Sequence, residues 1–218
     1  MSVEIDKIST RRHTIIGVDI DGVLRDYVKG YNEEFVKCFP QYKTVVCEAE
    51  HWDWFKDYPW KEIRDLTITD IEYTPEEYAL KWSFDSQHTT SMLQNAPCYN
   101  DVMMSFNKLL VPYCKSKGLE LKLITKQPSY RARKATIEWL LKHSIDFPQI
   151  VFVNEWKEKW ECCDLLVDDS PLVLDIKPED KISVKVSHRY NTETEADFTV
   201  KSFAEAVDVI IRCSDTFK

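Results

Sequence analysis

Short apolar runs that alternate with amphipathic segments constrain the fold of this chain more than any other feature. Five such runs predict buried strands, and they occupy residues 14–20, 119–125, 150–153, 164–168 and 182–186. Because these runs are almost continuously apolar, they indicate a sheet that is buried on both faces, as parallel sheets are. Strands that alternate with helical patterns therefore predict an α/β doubly wound fold.

The helical segments between the runs have recognisable boundaries. Residues 100–117 repeat apolar side chains at helical spacing, and Gly118 follows them as a typical helix stop. Residues 130–143 show the same spacing, and Ser202 with Glu205 forms a capping box that begins the last helix. The first two of these helices lie directly before or between predicted strands, and the last follows the final predicted strand.

One long segment breaks the alternation and predicts an insertion. Residues 28–97 lack a clear buried strand and contain helical patterns, such as 74–84, which begins with a capping box. An aromatic cluster lies within the segment: Trp52, Trp54, Phe55, Tyr58 and Trp60. We therefore predict a core of residues 1–27 and 98–218, with a helical cap inserted at 28–97.

Composition and spacing exclude several classes of protein. The net charge of −8 over 218 residues argues against a protein held mainly by nucleic-acid phosphates. With only 4 glycines no GxGxxG can be written, and Gly17 and Gly22 have P-loop spacing without the lysine that must follow. The 7 cysteines include no CxxC, and the 5 histidines include no HxxxH pair.

The sequence also predicts where the protein resides. Residues 1–13 contain acids and no apolar region of the kind that a signal peptide needs. No apolar stretch approaches the ~18 residues of a membrane span. We therefore expect a cytoplasmic protein with reduced cysteines and no membrane partner.

Polar residues follow three of the predicted strands at their carboxyl ends. Asp19 and Asp21 close the first strand, Thr125 closes the second, and Asp168 and Asp169 close the fourth. The carboxyl ends of parallel strands meet at one edge of the sheet, where ligands bind. Carboxylates crowded there need a cation, and Mg²⁺ suits their oxygens and those of a phosphate. A carboxylate can also attack phosphorus, so the pattern indicates phosphoryl chemistry.

These motifs resemble those of the haloacid dehalogenase (HAD) superfamily of phosphohydrolases. IIGVDIDGVLRD resembles motif one, LKLIT and LLVDD resemble motifs two and four, and a preceding lysine supplies motif three. The pieces APCYNDVMMSFNKLL, KATIEWLLKH and KEKWECCDLLVDDSP are similar to the 5′(3′)-deoxyribonucleotidase branch. The resemblance implies a HAD-like Rossmannoid three-layer core with a parallel sheet, and a helical cap inserted after the first strand.

The resemblance assigns catalytic and phosphate-binding roles to particular residues. Asp19 matches the nucleophile, Asp21 matches the general acid/base, and Thr125 matches the phosphate-binding hydroxyl. Lys159 matches the motif-three lysine, and Lys157 remains the alternative.

The resemblance also implies a metal site and a contact to the substrate. Asp169 matches the direct metal ligand, Asp168 lies beside it, and Asp19 and Asp21 complete the Mg²⁺ site. Tyr27 lies where members of the branch carry an aromatic residue that stacks on the base.

Other candidate contacts lie where the chain departs from the branch or in the insertion. Arg25, Lys126 and Gln127 stand where small residues are common, so Arg25 is a candidate contact to the substrate and Lys126 to its phosphate. Trp52 and Trp54 are candidate base contacts, because the aromatic density exceeds what a small cap needs for its core. Packing within the cap is the alternative interpretation of these tryptophans.

The expected function is a Mg²⁺-dependent phosphomonoester hydrolase that forms an aspartyl-phosphate and acts on (deoxy)nucleoside monophosphates. Three alternatives stay open: a HAD phosphatase for another small phosphate ester, a nucleic-acid 3′-phosphatase, and a non-catalytic phosphate-binding relative. The negative charge argues against the second, and the intact pair of Asp19 and Asp21 argues against the third. The oligomeric state, including a homodimer, is left open by the sequence.

Overall fold

The computed structural model describes residues 14–45, 47–67, 73–84, 87–127 and 129–213. The absence of a leader peptide was predicted from residues 1–13, which lie outside the described residues. Six strands lie within the described residues: β1 (Ile15–Val18), β2 (Glu120–Lys126), β3 (Ile150–Val153), β4 (Leu165–Asp168), β5 (Ile182–Val186) and β6 (Phe198–Val200).

Helices occupy the connections between the strands. The α-helices of the described residues are α1 (Tyr27–Cys38), α2 (Trp60–Thr67), α3 (Pro75–Phe84), α4 (Gln87–Asn95), α5 (Val111–Lys117), α6 (Tyr130–Lys142), α7 (Glu158–Glu161), α8 (Pro171–Leu174) and α9 (Phe203–Cys213). No helix among the described residues is both long enough and apolar enough to span a membrane.

The strands form one parallel sheet in the order β3-β2-β1-β4-β5-β6. The central strand β1 pairs with β2 on one side and with β4 on the other, so the chain reverses its direction of winding at this strand. All four residues of β4 are buried, as a strand covered on both faces requires. The predicted α/β fold with a parallel sheet is confirmed.

The structure shows a sixth strand that the sequence did not predict. Strand β6 has only three residues, and two of them are exposed at the edge of the sheet. An exposed edge strand needs no continuous apolar run, so the pattern that predicted the other five strands is absent here.

The segment before β2 is helical, as predicted, but it is not one regular α-helix. Residues 104–110 form a π-helix, and α5 follows with Pro112 in its first turn. Proline lacks the N–H that would continue an α-helical ladder, and its ring crowds the preceding turn, so the winding upstream of Pro112 widens. Gly118 ends α5 in the left-handed conformation with φ of 68°.

Helices α1 to α4 lie between β1 and β2 in the chain and build an aromatic cluster of their own. Tyr31 and Phe35 of α1 pack there against Trp54, Trp60 and Trp82. The cluster also includes alanines of α6, so the inserted helices α1 to α4 contact the rest of the molecule. The division of the chain into a core at 1–27 and 98–218 and a cap at 28–97 stays a prediction.

Candidate active site

Three carboxylates meet at the carboxyl edge of the sheet. Asp19 follows β1, Asp168 ends β4, and Asp169 follows it, and their oxygens lie within 4.8 Å of one another. The backbone N–H of Asp19 donates to the carbonyl of Val167 at 2.9 Å, which aligns the ends of the two strands. Gly22 approaches this group so closely that an added Cβ would lie 2.2 Å from Asp169 Oδ2, so glycine is required there.

A single buried lysine joins two of these carboxylates. The Nζ of Lys159 lies 2.7 Å from Asp168 Oδ2 and 2.9 Å from Asp19 Oδ2. Burial disfavours its charged form, but the two carboxylates outweigh that effect and raise the pKa of Lys159 above its usual range. The alternative, Lys157, is exposed at the start of α7. The structure therefore brings Lys159, and not Lys157, into the group.

Burial and mutual repulsion disfavour the charged forms of the carboxylates of Asp19 and Asp169. Burial raises the pKa of Asp19 to about 7, against the opposing effect of Lys159, and Asp168 and Asp21 raise it further. Burial, followed by repulsion from Asp168 and Asp19, also raises the pKa of Asp169. The buried Oδ1 of Asp19 has no hydrogen-bond partner among the described residues. An unpartnered carboxylate oxygen within such a group fits a divalent cation bound by oxygens.

Both carboxylate oxygens of Asp168 accept hydrogen bonds from other groups of the protein. Its Oδ2 accepts from Lys159, and its Oδ1 accepts from the backbone N–H of Ser170 at 2.9 Å. The side chain is completely buried and does not line the cavity described below. Asp168 therefore holds Lys159 in place, and Asp169 is the strand-end acid that faces the open space.

Asp21 lies two residues beyond Asp19, and its carboxylate is held by three hydrogen bonds. Arg25 donates to both of its oxygens, at 2.7 and 3.0 Å, and Gln127 Nε2 donates at 2.7 Å. The side chain of Asp21 is 23% exposed, so one side of the carboxylate remains open to the cavity. These donors fix its orientation beside Asp19.

The prediction that Arg25 contacts the substrate is corrected by its position. The residue is 0% exposed and does not line the cavity. Besides Asp21, its guanidinium donates to the Leu93 carbonyl at 2.9 Å and to Thr136 Oγ1 at 3.2 Å, and it lies over the ring of Trp139. The N–H groups of its guanidinium thus donate to partners within the protein, and the residue orients the carboxylate of Asp21.

Three residues on the loop after β5 contact this site, although the sequence did not predict them. Tyr190 donates its hydroxyl to Asp169 Oδ2 at 2.5 Å, and Asn191 Nδ2 donates to the Asp169 carbonyl at 2.8 Å. His188 Nε2 lies 2.7 Å from the carbonyl of Gly22, and burial lowers the pKa of its ring. The position of this loop after a strand end was a usable signal, because the ends of parallel strands share one edge.

A cavity opens between the sheet edge and the inserted helices. From the strand ends, the predicted residues Asp19, Asp21, Thr125, Lys126, Lys159 and Asp169 line it. From the insertion and its base, the predicted residues Tyr27, Trp52 and Trp54 line it. Trp156, which follows β3, and Tyr190, which follows β5, also line the cavity and were not predicted. The predicted residues thus share one cavity, except for Arg25 and Asp168.

Aromatic rings and one lysine form a wall of this cavity. Trp52 makes T-shaped ring contacts with Trp156 and Tyr190, with centroids 6.4 and 5.7 Å apart. Lys126 Nζ lies 4.1 Å from the centroid of the Trp156 ring, a cation–π contact. The ammonium group of Lys126 therefore lies beside this wall. Trp52 is only partly buried.

The aromatic density of the insertion is explained mainly by packing. Trp54, Tyr58 and Trp60 are at most 4% exposed, and each packs within the cluster around Tyr31 and Phe35. The expectation that the density exceeds the needs of a core is therefore wrong for these three residues. Trp54 reaches the cavity only at the edge of this packed cluster.

Solved structures with this fold include enzymes of different activity. L-2-haloacid dehalogenase from Xanthobacter autotrophicus, with chloropropionic acid covalently bound, has a TM-score of 0.56 and 12% identity over 92% of this chain and 98% of that chain. β-Phosphoglucomutase from Clostridium difficile has a TM-score of 0.56 and 16% identity over 94% of this chain and 98% of that chain. A haloacid dehalogenase-like hydrolase from Streptococcus pneumoniae has a TM-score of 0.54 and 12% identity, covering 91% and 98%.

These solved structures show that the chain has the fold of haloacid dehalogenase-like proteins. The family model described as 5′ nucleotidase, deoxy (pyrimidine), cytosolic type C protein matches residues 13–216, and the chain belongs to this family. Because this is a family of nucleotidases, the protein is an enzyme that hydrolyses phosphoric monoesters. No curated protein shows a significant sequence match to the chain.

Proposed function

We propose that this protein is a Mg²⁺-dependent nucleotidase that releases phosphate from (deoxy)nucleoside monophosphates through an aspartyl-phosphate on Asp19. The observation that carries the proposal is the environment of this carboxylate on the floor of the cavity. One of its oxygens contacts Lys159, and the other has no partner among the described residues. A carboxylate held in this way has one oxygen free to bind a cation, and the oxygen beside Lys159 is the one that attacks phosphorus.

The donors in the group fit Mg²⁺, and Asp19, Asp169 and the carbonyl of Asp21 would hold the ion. The orphaned Oδ1 of Asp19 and the raised pKa values of Asp19 and Asp169 support a cation at this position. When bound, Mg²⁺ offsets the charge of the carboxylates and of the phosphoryl oxygens.

The other residues of the group orient the reaction and move its proton. Lys159 and the hydroxyl of Thr125 bind phosphoryl oxygens, and the lysine also favours the ionised form of Asp19. Asp21 protonates the leaving oxygen of the ester and then takes a proton from the water that hydrolyses the aspartyl-phosphate. Arg25 and Gln127 are positioning residues, because they hold the Asp21 carboxylate beside Asp19.

The leaving group is selected by the aromatic wall of the cavity. Base–aromatic stacking contributes about 1–3 kcal/mol per base, and Trp52, Tyr27 and Trp156 offer rings there. Lys126 lies against this wall and would contact the phosphate or the sugar. The description of the family names pyrimidine deoxynucleotides and a cytosolic type, which supports substrates of that kind and a cytoplasmic location.

The decisive experiment is a hydrolysis screen with and without Mg²⁺. Phosphate release is measured from pyrimidine and purine nucleoside monophosphates, in ribo and deoxy forms with 5′ or 3′ phosphates, and from sugar phosphates and an aryl phosphate. We expect the turnover of all good substrates to depend on Mg²⁺. We also expect kcat/KM to be tenfold to a hundredfold higher for nucleotides than for sugar phosphates, because base stacking contributes about 1–3 kcal/mol. Activity that survives a chelator would refute the metal assignment. A preference for sugar phosphates would instead favour a phosphatase for another small ester.

A further inference from the structure

A second group of side chains able to bind a metal lies within the inserted helices, outside the cavity. Glu34 and Cys38 are one helical turn apart on α1, and His88 lies at the start of α4. His88 Nδ1 is 3.2 Å from Cys38 Sγ and 3.4 Å from Glu34 Oε1, and Cys38 Sγ is 3.8 Å from Glu34 Oε1. Three ligand atoms of different chemistry therefore converge on one point between the two helices.

The spacing of these three atoms is that of ligands around a tetrahedral zinc ion. Zinc binds sulfur at about 2.3 Å and nitrogen or carboxylate oxygen at about 2.0–2.2 Å. Tetrahedral angles then place sulfur and nitrogen ~3.6 Å apart, nitrogen and oxygen ~3.4 Å apart, and sulfur and oxygen ~3.6 Å apart. The separations in this protein agree with these values within roughly 0.4 Å.

Further side chains hold two of the ligands in place. Glu34 Oε2, the oxygen outside the group, accepts from Ser91 Oγ at 2.9 Å and lies 3.3 Å from Lys37 Nζ. The ring of His88 stacks on Trp82, with centroids 5.4 Å apart and planes inclined by 17°. Metal sites in proteins use such outer contacts to orient carboxylate and histidine ligands.

The types of ligand select the metal. Mg²⁺ prefers oxygen ligands alone, whereas thiolate and imidazole favour Zn²⁺ and similar thiophilic ions. Three protein ligands also leave a fourth tetrahedral position for water.

We propose that Glu34, Cys38 and His88 bind one Zn²⁺ ion that links α1 to α4. This site is independent of the proposed phosphatase chemistry and shares no residue with it. Both linked helices contribute to the cavity, α1 through Tyr27 and α4 through Thr89 and Leu93. A bound ion therefore stabilises the folded protein and fixes these two walls of the cavity relative to each other.

The test uses Co²⁺ as a spectroscopic probe on the full chain, with Mg²⁺ in large excess to occupy the carboxylates at the sheet edge. We expect one Co²⁺ per chain and a thiolate-to-cobalt charge-transfer band that Zn²⁺ abolishes. The band should be absent in Cys38→Ser and present in Cys47→Ser, since Cys47 is another half-buried cysteine of the insertion. A charge-transfer band that persists in Cys38→Ser, or Co²⁺ binding to the unaltered protein without any band, would overturn the proposal.

A second measurement covers the case in which Cys38→Ser does not fold. Zn²⁺ should raise the Tm of the unaltered protein and of Cys47→Ser, and His88→Gln should weaken Zn²⁺ binding at least about tenfold and lose this shift. If Zn²⁺ raises the Tm of His88→Gln equally, and Asp169→Asn abolishes the effect, the ion binds at the sheet edge. The three side chains then form only a hydrogen-bonded contact between helices.

Discussion

The edge of the sheet and the inserted helices line the same cavity, but different forces hold their side chains. At the sheet edge, charged groups are fixed by ion pairs and hydrogen bonds, as Lys159 is fixed by Asp19 and Asp168. In the inserted helices, aromatic rings are fixed by packing on one another, as Trp54 is against Tyr31. A substitution at the edge should therefore change the rate of the chemistry, whereas one in the helices should change stability or the choice of leaving group.

The largest effect is expected at the sheet edge. Asp19→Asn keeps the shape of the side chain but cannot form the acyl-phosphate, so kcat for an aryl phosphate should fall at least ~10³-fold. The free energy of unfolding should not fall, because burial and the neighbouring carboxylates disfavour the charge that the substitution removes. The matched control is Asp26→Asn, which alters the N-cap of α1 outside the cavity and keeps a good capping residue. A variant of Asp19 with a tenth of the activity would contradict the mechanism.

Substitutions of Trp54 and Trp52 can distinguish a side chain that packs the aromatic cluster from one that binds the substrate. Trp54→Ala should lower the free energy of unfolding by about 3–5 kcal/mol, because its ring is 4% exposed in the aromatic cluster. Trp52→Ala should cost about 1 kcal/mol in stability and reduce the preference for nucleotides over an aryl phosphate by roughly tenfold to a hundredfold. Urea denaturation and kcat/KM on both substrates measure these effects. If Trp52→Ala unfolds as readily as Trp54→Ala, the wall of the cavity is core as well.

The role of Asp21 can be tested by changing the leaving group. A general acid contributes roughly 10²–10⁴-fold to the rate when the leaving oxygen needs a proton. Asp21→Asn should therefore lose about a hundredfold in kcat on a nucleotide, and at most about tenfold on an aryl phosphate, whose leaving group departs readily. Equal losses on the two substrates would show that Asp21 does not transfer the proton.

The smallest effect is expected for the tyrosine that joins the two sides of the cavity. Tyr190→Phe removes the hydroxyl that donates to Asp169 but keeps the ring that packs against Trp52. Loss of such an outer contact should weaken Mg²⁺ binding about tenfold, with kcat at saturating Mg²⁺ nearly unchanged. Titration of activity with Mg²⁺ measures the change, and an unaltered midpoint would exclude this role for Tyr190.

The two regions also differ in how far the sequence predicts them. Five strands were predicted because burial on both faces leaves apolar runs, and β6 was missed because it is short and exposed. The convergence of Asp19, Thr125 and Asp169 was predicted because parallel strands end at one edge. The roles of Arg25 and Trp54 were not, since a local pattern does not reveal whether a side chain points into a cavity or into a packed interior. Tyr190 was missed because no motif marks its loop, and the position of the loop after β5 is the only signal that could have indicated it.

The pairing of the central strand has a consequence for how the chain folds. Ile15 of β1 pairs with Glu120 of β2, and Ile16 pairs with Leu165 of β4. During synthesis, the first strand must wait until both partners have emerged, and the inserted helices are complete well before either does. Contacts so distant in sequence slow folding, because a long loop must close before they form. Helices α1 to α4 can therefore form early, whereas Asp19 and Asp169 come together only when β4 pairs with β1, late in the assembly of the sheet.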